Sequence, residues 1–303
     1  MEGIAKELHK PARRNYPSRR VELKGIDDLI QADLVELIPH ASLNKGYKYI
    51  MTVINCFSKY AYAIPLKTKT AAEVVKALQP ILDSNRIRNF QTDEGKEWFN
   101  SSVMSLMRRY NINHYHTYSE KKASIVERFN RTLKEKMWQA FTAQGNYRWL
   151  TLLPKLVDRY NDTVHRSIGM KPKNVCKQNE MKVLQSINNA TFRKLSLPKF
   201  KIGTMVRISK FKRTFAKGYL PNWTEEIFEI VSINPSRPPT YRLKDIRGEV
   251  LKGSFYEQEL IPTKQVSIYL VEKVLRRKGD KVFVKWAGFD STHNSWVSKK
   301  DIM

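Results

Sequence analysis

The sequence predicts a chain of several domains, an α/β domain first and small all-β modules after it. Three observations carry this. Early strand-like runs give way, between Asp28 and Val164, to alternating helical and strand-like segments. From Phe200 onward short strand-like runs are broken by Gly and Pro. A length of 303 residues, 41% hydrophobic and 11% aromatic, supplies apolar material for two or three cores.

In order, residues 1–24 read as a basic arm. Two prolines and dense charge in HKPARRNYPSRRVELK argue against a packed element, leaving a solvated tail or a DNA-backbone arm. Residues 25–180 carry the α/β pattern. DDLIQADLVEL is a strand with Asp33 inside it, and strands around Tyr47–Asn55 and Tyr60–Leu66 are joined by a Cys-Phe-Ser-Lys turn. Thr70 caps a helix to about Asp83, which Pro80 should kink or end early. Ile87–Thr92 is a strand ending at Asp93, Ser102–Tyr110 a helix and Ile112–Tyr115 a short strand. In KKASIVERFNRTLKEK, Lys121–Lys136, the residues Val126, Phe129, Leu133 and Met137 form one apolar helical stripe. Glu127, Asn130, Arg131 and Lys134 lie beside it. A further helix spans Tyr147–Val164, residues 181–197 form a helical linker, 198–263 a small barrel and 266–303 a third module.

The formal net charge of +26 exceeds what solubility needs and points to a polyanion, nucleic acid first. An anionic membrane surface is the competing partner, but no apolar run is long enough to span a bilayer and no signal-peptide core stands at the start, and no membrane is expected among the partners. Cys56 and Cys176 give neither a disulfide framework nor a zinc site, and a reducing compartment follows. Cys56 reads as a small buried hydrophobe. His114 and His116 share a strand face, but without a third ligand nearby they read as structural. No phosphate-binding glycine loop implies ATP.

Asp33 in QADLVEL, Asp93 in QTDEGKEWFN and Glu127 in E-x-x-N-x-x-L-K together resemble the D,D-35-E triad of retroviral-type integrases, with 34 residues between the second and third acids. The fit extends from about Ile26 to the C-terminus and is similar to the integrases of Polinton (Maverick) transposons. The resemblance implies a ribonuclease H-like core with Asp33, Asp93 and Glu127 as catalytic and metal-binding residues. Converging carboxylates need a hard cation between them, and two Mg²⁺ or Mn²⁺ ions per site are implied. It further implies 3′-end processing and strand transfer on double-stranded DNA, a homo-multimer, a nuclear location, and Asn130, Arg131 and Lys134 holding the end DNA. The family's upstream HHCC zinc ligands are not in this chain. A transposon-derived DNA or chromatin binder without catalysis, and a ribonuclease H-like nuclease, are rival readings.

The barrel resembles the SH3-like domain of integrases. Its Lys199–Lys217 stretch holds seven basic residues and no acid, with Lys210, Lys212 and Arg213 as phosphate contacts and Phe211, Phe215, Tyr219 and Trp223 interleaved. The last segment resembles a chromodomain, through Y-x-V-E-K, V-K-W-x-G-F and N-S-W. That resemblance implies a methyl-lysine cage of Tyr269, Trp286 and Phe289 reading a methylated histone tail. It departs at His293, where an acid is common, and lacks the closing helix. Trp296 is expected in the module's core.

Overall fold

The computed structural model describes residues 2–13, 15–17, 19, 21–116, 123–191, 197–210, 220–266 and 268–302. The chain divides into two compact units, Arg20–Phe192 and Met1–Arg19 with Arg193–Met303. The first helix, α1 (Glu2–Leu8), therefore belongs with the C-terminal half.

Arg20–Phe192 is built on β1 (Leu29–Glu36), β2 (Tyr49–Asn55), β3 (Ala61–Leu66), β4 (Asn89–Thr92) and β5 (Asn113–His116), ordered β3-β2-β1-β4-β5. Short turns join β1, β2 and β3, and these pair antiparallel. Helices α2 (Ala71–Ser84) and α3 (Ser101–Arg109) return the chain, so β4 lies parallel to β1 and β5 parallel to β4. Side-chain alternation along β1 feeds two cores. Ile30 and Ala32 pack with Leu78, Phe90, Trp98 and Leu106 on one face. Val35 packs on the other with Val126, Phe129, Leu133 and Trp149, from α4 (Ser124–Gln144) and the segment leading into α5 (Leu153–Asn161). Cover on both faces explains why β2 reads YIMTVIN, apolar almost throughout.

Two helices differ from expectation. Pro80 neither ends nor shortens α2, which runs on to Ser84 because Ile81 and Leu82 are buried beyond it. The helix expected from Tyr147 starts only at Leu153, with Pro154 in its first turn. Asn44 Oδ1 instead accepts the Trp149 N–H at 2.8 Å and holds the preceding segment in turns. The linker contains α6 (Glu180–Thr191).

The other unit holds an antiparallel sheet ordered β10-β6-β7-β8-β9: β6 (Met205–Ile208), β7 (Phe228–Asn234), β8 (Thr240–Lys244), β9 (Phe255–Tyr256) and β10 (Leu260–Pro262). Phe200, Val206, Ile230, Tyr241 and Leu243 form its core. A three-stranded antiparallel sheet follows, β11 (Val271–Lys278), β12 (Lys281–Trp286) and β13 (Ser295–Ser298).

The basic arm is corrected here. Residues 2–8 form α1, whose Ile4 and Leu8 pack on Trp223. The Leu8 carbonyl accepts the Asn222 N–H at 2.8 Å, and Glu7 Oε1 accepts from Arg207 Nε at 2.6 Å. Arg207, counted by sequence in the basic loop, is 0% exposed. Trp296 is also corrected. It lies opposite Phe283, on the face of β12 away from buried Val282 and Val284, and is 44% exposed.

Candidate active site

Asp33 sits in the middle of β1, Asp93 directly follows β4, and Glu127 lies in the first turn of α4. Because β1 and β4 are adjacent and parallel, and α4 packs on the β1 face that carries Gln31, Asp33 and Val35, topology brings the three acids to one place. Their charges feel one another. Burial, then the Asp93 charge, pushes the Asp33 carboxyl above its ordinary value, against the Leu34 N–H and Asn130, which lower it. Burial and then the Asp33 charge push Glu127 up as well.

The acids are held by a frame of amides. Asp33 Oδ1 accepts the Leu34 N–H at 2.8 Å and Oδ2 accepts Asn130 Nδ2 at 2.8 Å. Asp93 Oδ1 accepts the Gly95 N–H at 3.2 Å. Gln31 is 0% exposed, and its Oε1 accepts the N–H groups of both Ile125 and Val126 at 3.0 Å, while its Nε2 donates to Gln91 Oε1 at 2.8 Å. It thereby caps the start of α4 from the strand, two residues before Asp33. The chain enters the helix at Ala123, whose φ of 23° is left-handed for a residue with a side chain. Gln31 and Gln91 escaped sequence reasoning. The available signal was a second polar residue, Gln31, on the same strand face as Asp33.

Three carboxylates are hard donors that suit Mg²⁺ or Mn²⁺. Among the described residues no three His, Cys, Asp or Glu side chains stand close enough to enclose an ion as they are. The acids converge within charge–charge range without forming a closed cage. The like-charge interaction at Asp33 and Glu127 is the imbalance that a divalent cation relieves, so the donor chemistry fits the group.

Of the expected DNA contacts, Asn130 is corrected: it is 5% exposed and its amide donates to Asp33. Arg131 and Lys134 face solvent on α4, and the Lys134 charge reaches Asp33. Lys210 is half-buried and paired with Glu225 at 2.5 Å, which offsets its charge. Lys212, Arg213, Phe211, Phe215 and Tyr219 lie outside the described residues. The Tyr269 ring stands 6.0 Å from Trp286 and 5.9 Å from Phe289, so those three rings do gather. His293 Nδ1 donates to Asp290 Oδ1 at 2.9 Å, and Asp290 puts an acid next to Phe289 that the sequence alone did not credit. His114 is stacked between Phe90 and Phe99, at 4.9 and 4.3 Å.

Residues 26–121 match the model of the integrase core domain family. A putative uncharacterized transposon-derived protein of Caenorhabditis elegans is 30% identical over 221 residues, covering 70% of this chain and 75% of that protein. The Gag-Pol polyprotein of gibbon ape leukemia virus is 32% identical over 146 residues, 47% of this chain and 8% of the polyprotein. The HTLV-2 integrase catalytic core domain, solved in complex with magnesium, aligns with 49% of this chain and 95% of its own at 18% identity, with a TM-score of 0.41.

Proposed function

The chain belongs to the family of transposon-derived proteins built on a retroviral-type integrase core domain, and from that premise we propose that it is the integrase of a mobile element of Polinton type. The observation that carries the reading is the meeting of Asp33, Asp93 and Glu127 from a central strand, the end of its parallel neighbour and the start of α4. These acids would hold divalent metal ions, which when bound supply charge neutralisation for in-line displacement at phosphorus. Water first trims the 3′ ends of the element, and the freed hydroxyls then attack target DNA at the same site. Asn130 orients Asp33, Gln31 fixes the turn that bears Glu127, and Arg131 with Lys134 contacts the end DNA beside them.

Two ends require two coordinated sites, so the working form is a homo-multimer. The five-stranded sheet of the C-terminal unit serves as an SH3-like DNA-binding barrel. The three-stranded sheet acts as a chromodomain in which Tyr269, Trp286 and Phe289 receive a methylated histone lysine, placing the work in the nucleus.

The test is a strand-transfer assay with labelled element ends and Mg²⁺, run on the wild type and on Glu127→Gln. The substitution keeps shape and removes one carboxylate. Expected is loss of both trimming and joining by roughly three orders of magnitude with DNA binding kept. Joining near the wild-type rate would remove Glu127 from the chemistry. Duplex binding without joining by the wild type would favour a non-catalytic chromatin binder.

A further inference from the structure

At the edge of the catalytic unit, the end of β3 and the start of β2 bring together two short basic runs, KGYKY at 45–49 and LKTKT at 66–70. The Lys48 N–H donates to the Leu66 carbonyl at 3.0 Å, so the runs lie side by side. They enclose a shallow cavity of about 260 Å³ lined by Lys48, Tyr49, Lys67, Thr68, Lys69 and Thr70. The ammonium of Lys67 stands 5.5 Å from the centre of the Tyr47 ring, and that of Lys69 stands 5.9 Å from Tyr49. The rings thus hold two of the cations at the rim. Among the described residues, Lys69 has a carboxylate partner, Glu36 at 3.5 Å, while no acid pairs with Lys48 or Lys67. The side chains of Lys48, Lys67 and Lys69 are exposed.

We propose that this cavity is a second DNA-backbone site, gripping phosphates of a duplex whose reacting strand lies in the acid cluster. Register sets how far the cavity lies from the active site, a distance that one bound duplex spans. Glu36 is three residues beyond Asp33 on β1, it pairs with Tyr49, and Tyr49 pairs with Leu66. Three residues along a strand and two strands across place the cavity roughly 14 Å from Asp33. Along one DNA strand that is about four nucleotides. Tyr47, and with it Lys67, lies on the same face of the sheet as α4 and Asp33. Tyr49, and with it Lys69, lies on the opposite face beside Leu66, so the lysines wrap the strand ends, and a duplex reaching the acids around those ends meets Lys67 on one face and Lys69 on the other. The inference deepens the reading of the chain as an integrase and rests on it for the choice of duplex DNA as ligand.

The test uses the full chain, without metal, so that binding is read apart from chemistry. The salt dependence of binding to a random-sequence duplex is compared for wild type, for Lys48→Ala with Lys67→Ala and Lys69→Ala, and for a control lacking Lys76, Lys155 and Lys182, also exposed in the same unit. The patch variant should flatten the log–log slope by about 0.9 for each lost phosphate contact, up to roughly 2.7, and the control should not. The single variant Lys67→Glu, with circular dichroism as a check on folding, should weaken binding in the same direction. An unchanged slope, or a control that flattens it equally, overturns the site. So does a patch that holds single-stranded RNA as tightly as duplex. A chain that loses slope at the patch yet joins no DNA would keep this site and remove the integrase reading.

Discussion

Asn130 Nδ2 donates to Asp33 Oδ2 at 2.8 Å, tying the helix that carries one acid to the strand that carries another. Removing that donor leaves the half-buried Asp33 with one partner fewer and frees it to rotate. Asn130→Ala should lower strand transfer about 10–100-fold, the usual cost of losing a partner to a ligating carboxylate. Fluorescence-anisotropy binding of duplex should stay near wild type, because Asn130 does not face solvent. Equal losses in binding and joining would return Asn130 to the DNA contacts.

Gln31 offers a separable test of the same frame. Gln31→Ala leaves the Ile125 and Val126 N–H groups without their acceptor in a buried place. The expected cost is about 1–3 kcal/mol, read as a drop of several degrees in the melting temperature. Gln31→Glu keeps the acceptor and should recover helix capping better than Ala does. A melting temperature unchanged by Gln31→Ala would show that the helix start is fixed by packing alone.

His114 predicts a pH-dependent stability. The Thr92 hydroxyl donates to the Asp93 carbonyl, so the imidazole supplies the proton in its own 3.0 Å contact with Thr92 through Nε2, and the buried Nδ1 has no hydrogen-bond partner among the described residues. Burial, then His116, lowers the His114 pKa from 6.5 to about 4. Between those values the unfolded chain binds the proton and the folded chain does not. Stability from this group is full above pH 6.5, falls as pH drops toward 4, and changes no further below that. The loss is at most about 3 kcal/mol. As pH falls from 7 to 4 the urea midpoint of wild type should drop further than that of His114→Phe, and parallel curves would contradict the assignment.

In the C-terminal unit the pair of Glu7 and Arg207 is the most sensitive point. Arg207 also donates to the carbonyls of Thr224 and Glu225, at 3.1 and 2.6 Å, while Nη2 has no partner among the described residues. Glu7→Ala strands a buried guanidinium and should cost about 3–5 kcal/mol. Replacing both residues with apolar side chains of similar volume should cost much less, measurable as a non-additive double-mutant cycle.

The ring cluster is tested at Trp286. Trp286→Ala should abolish any preference of the chain for methylated over unmodified histone peptides while leaving joining into naked DNA unchanged, since a tether raises local concentration without altering chemistry. Equal binding of the two peptides by the wild type would recast Tyr269, Trp286 and Phe289 as core packing.

What was legible in the sequence is what short periods encode. The alternation around Asp33 and the stripe from Val126 to Met137 pointed to β1 and α4, which the fold contains, and local motifs singled out Asp33, Asp93 and Glu127. What was hidden depends on partners far along the chain. Gln31 meets α4 across 94 and 95 residues and Gln91 across 60. Asn130 read as a surface polar residue because its stripe neighbours are charged, yet Asp33 draws it inward. Trp296 read as core because it is large, and only the register with Phe283 shows which face it takes.

The contact between α1 and β6 bears on how the chain is made. Glu7 and Arg207 are 200 residues apart, with the whole catalytic unit between them. At about 5–20 residues per second, α1 waits roughly 10–40 s after leaving the ribosome before its partner strand is synthesised. The catalytic unit emerges complete in that interval, while Ile4 and Leu8 stay uncovered until Trp223 arrives. Until then the apolar face of α1 has no Trp223 to cover it. A fragment of residues 198–263 expressed alone would lack the helix that covers Trp223 and pairs with Arg207.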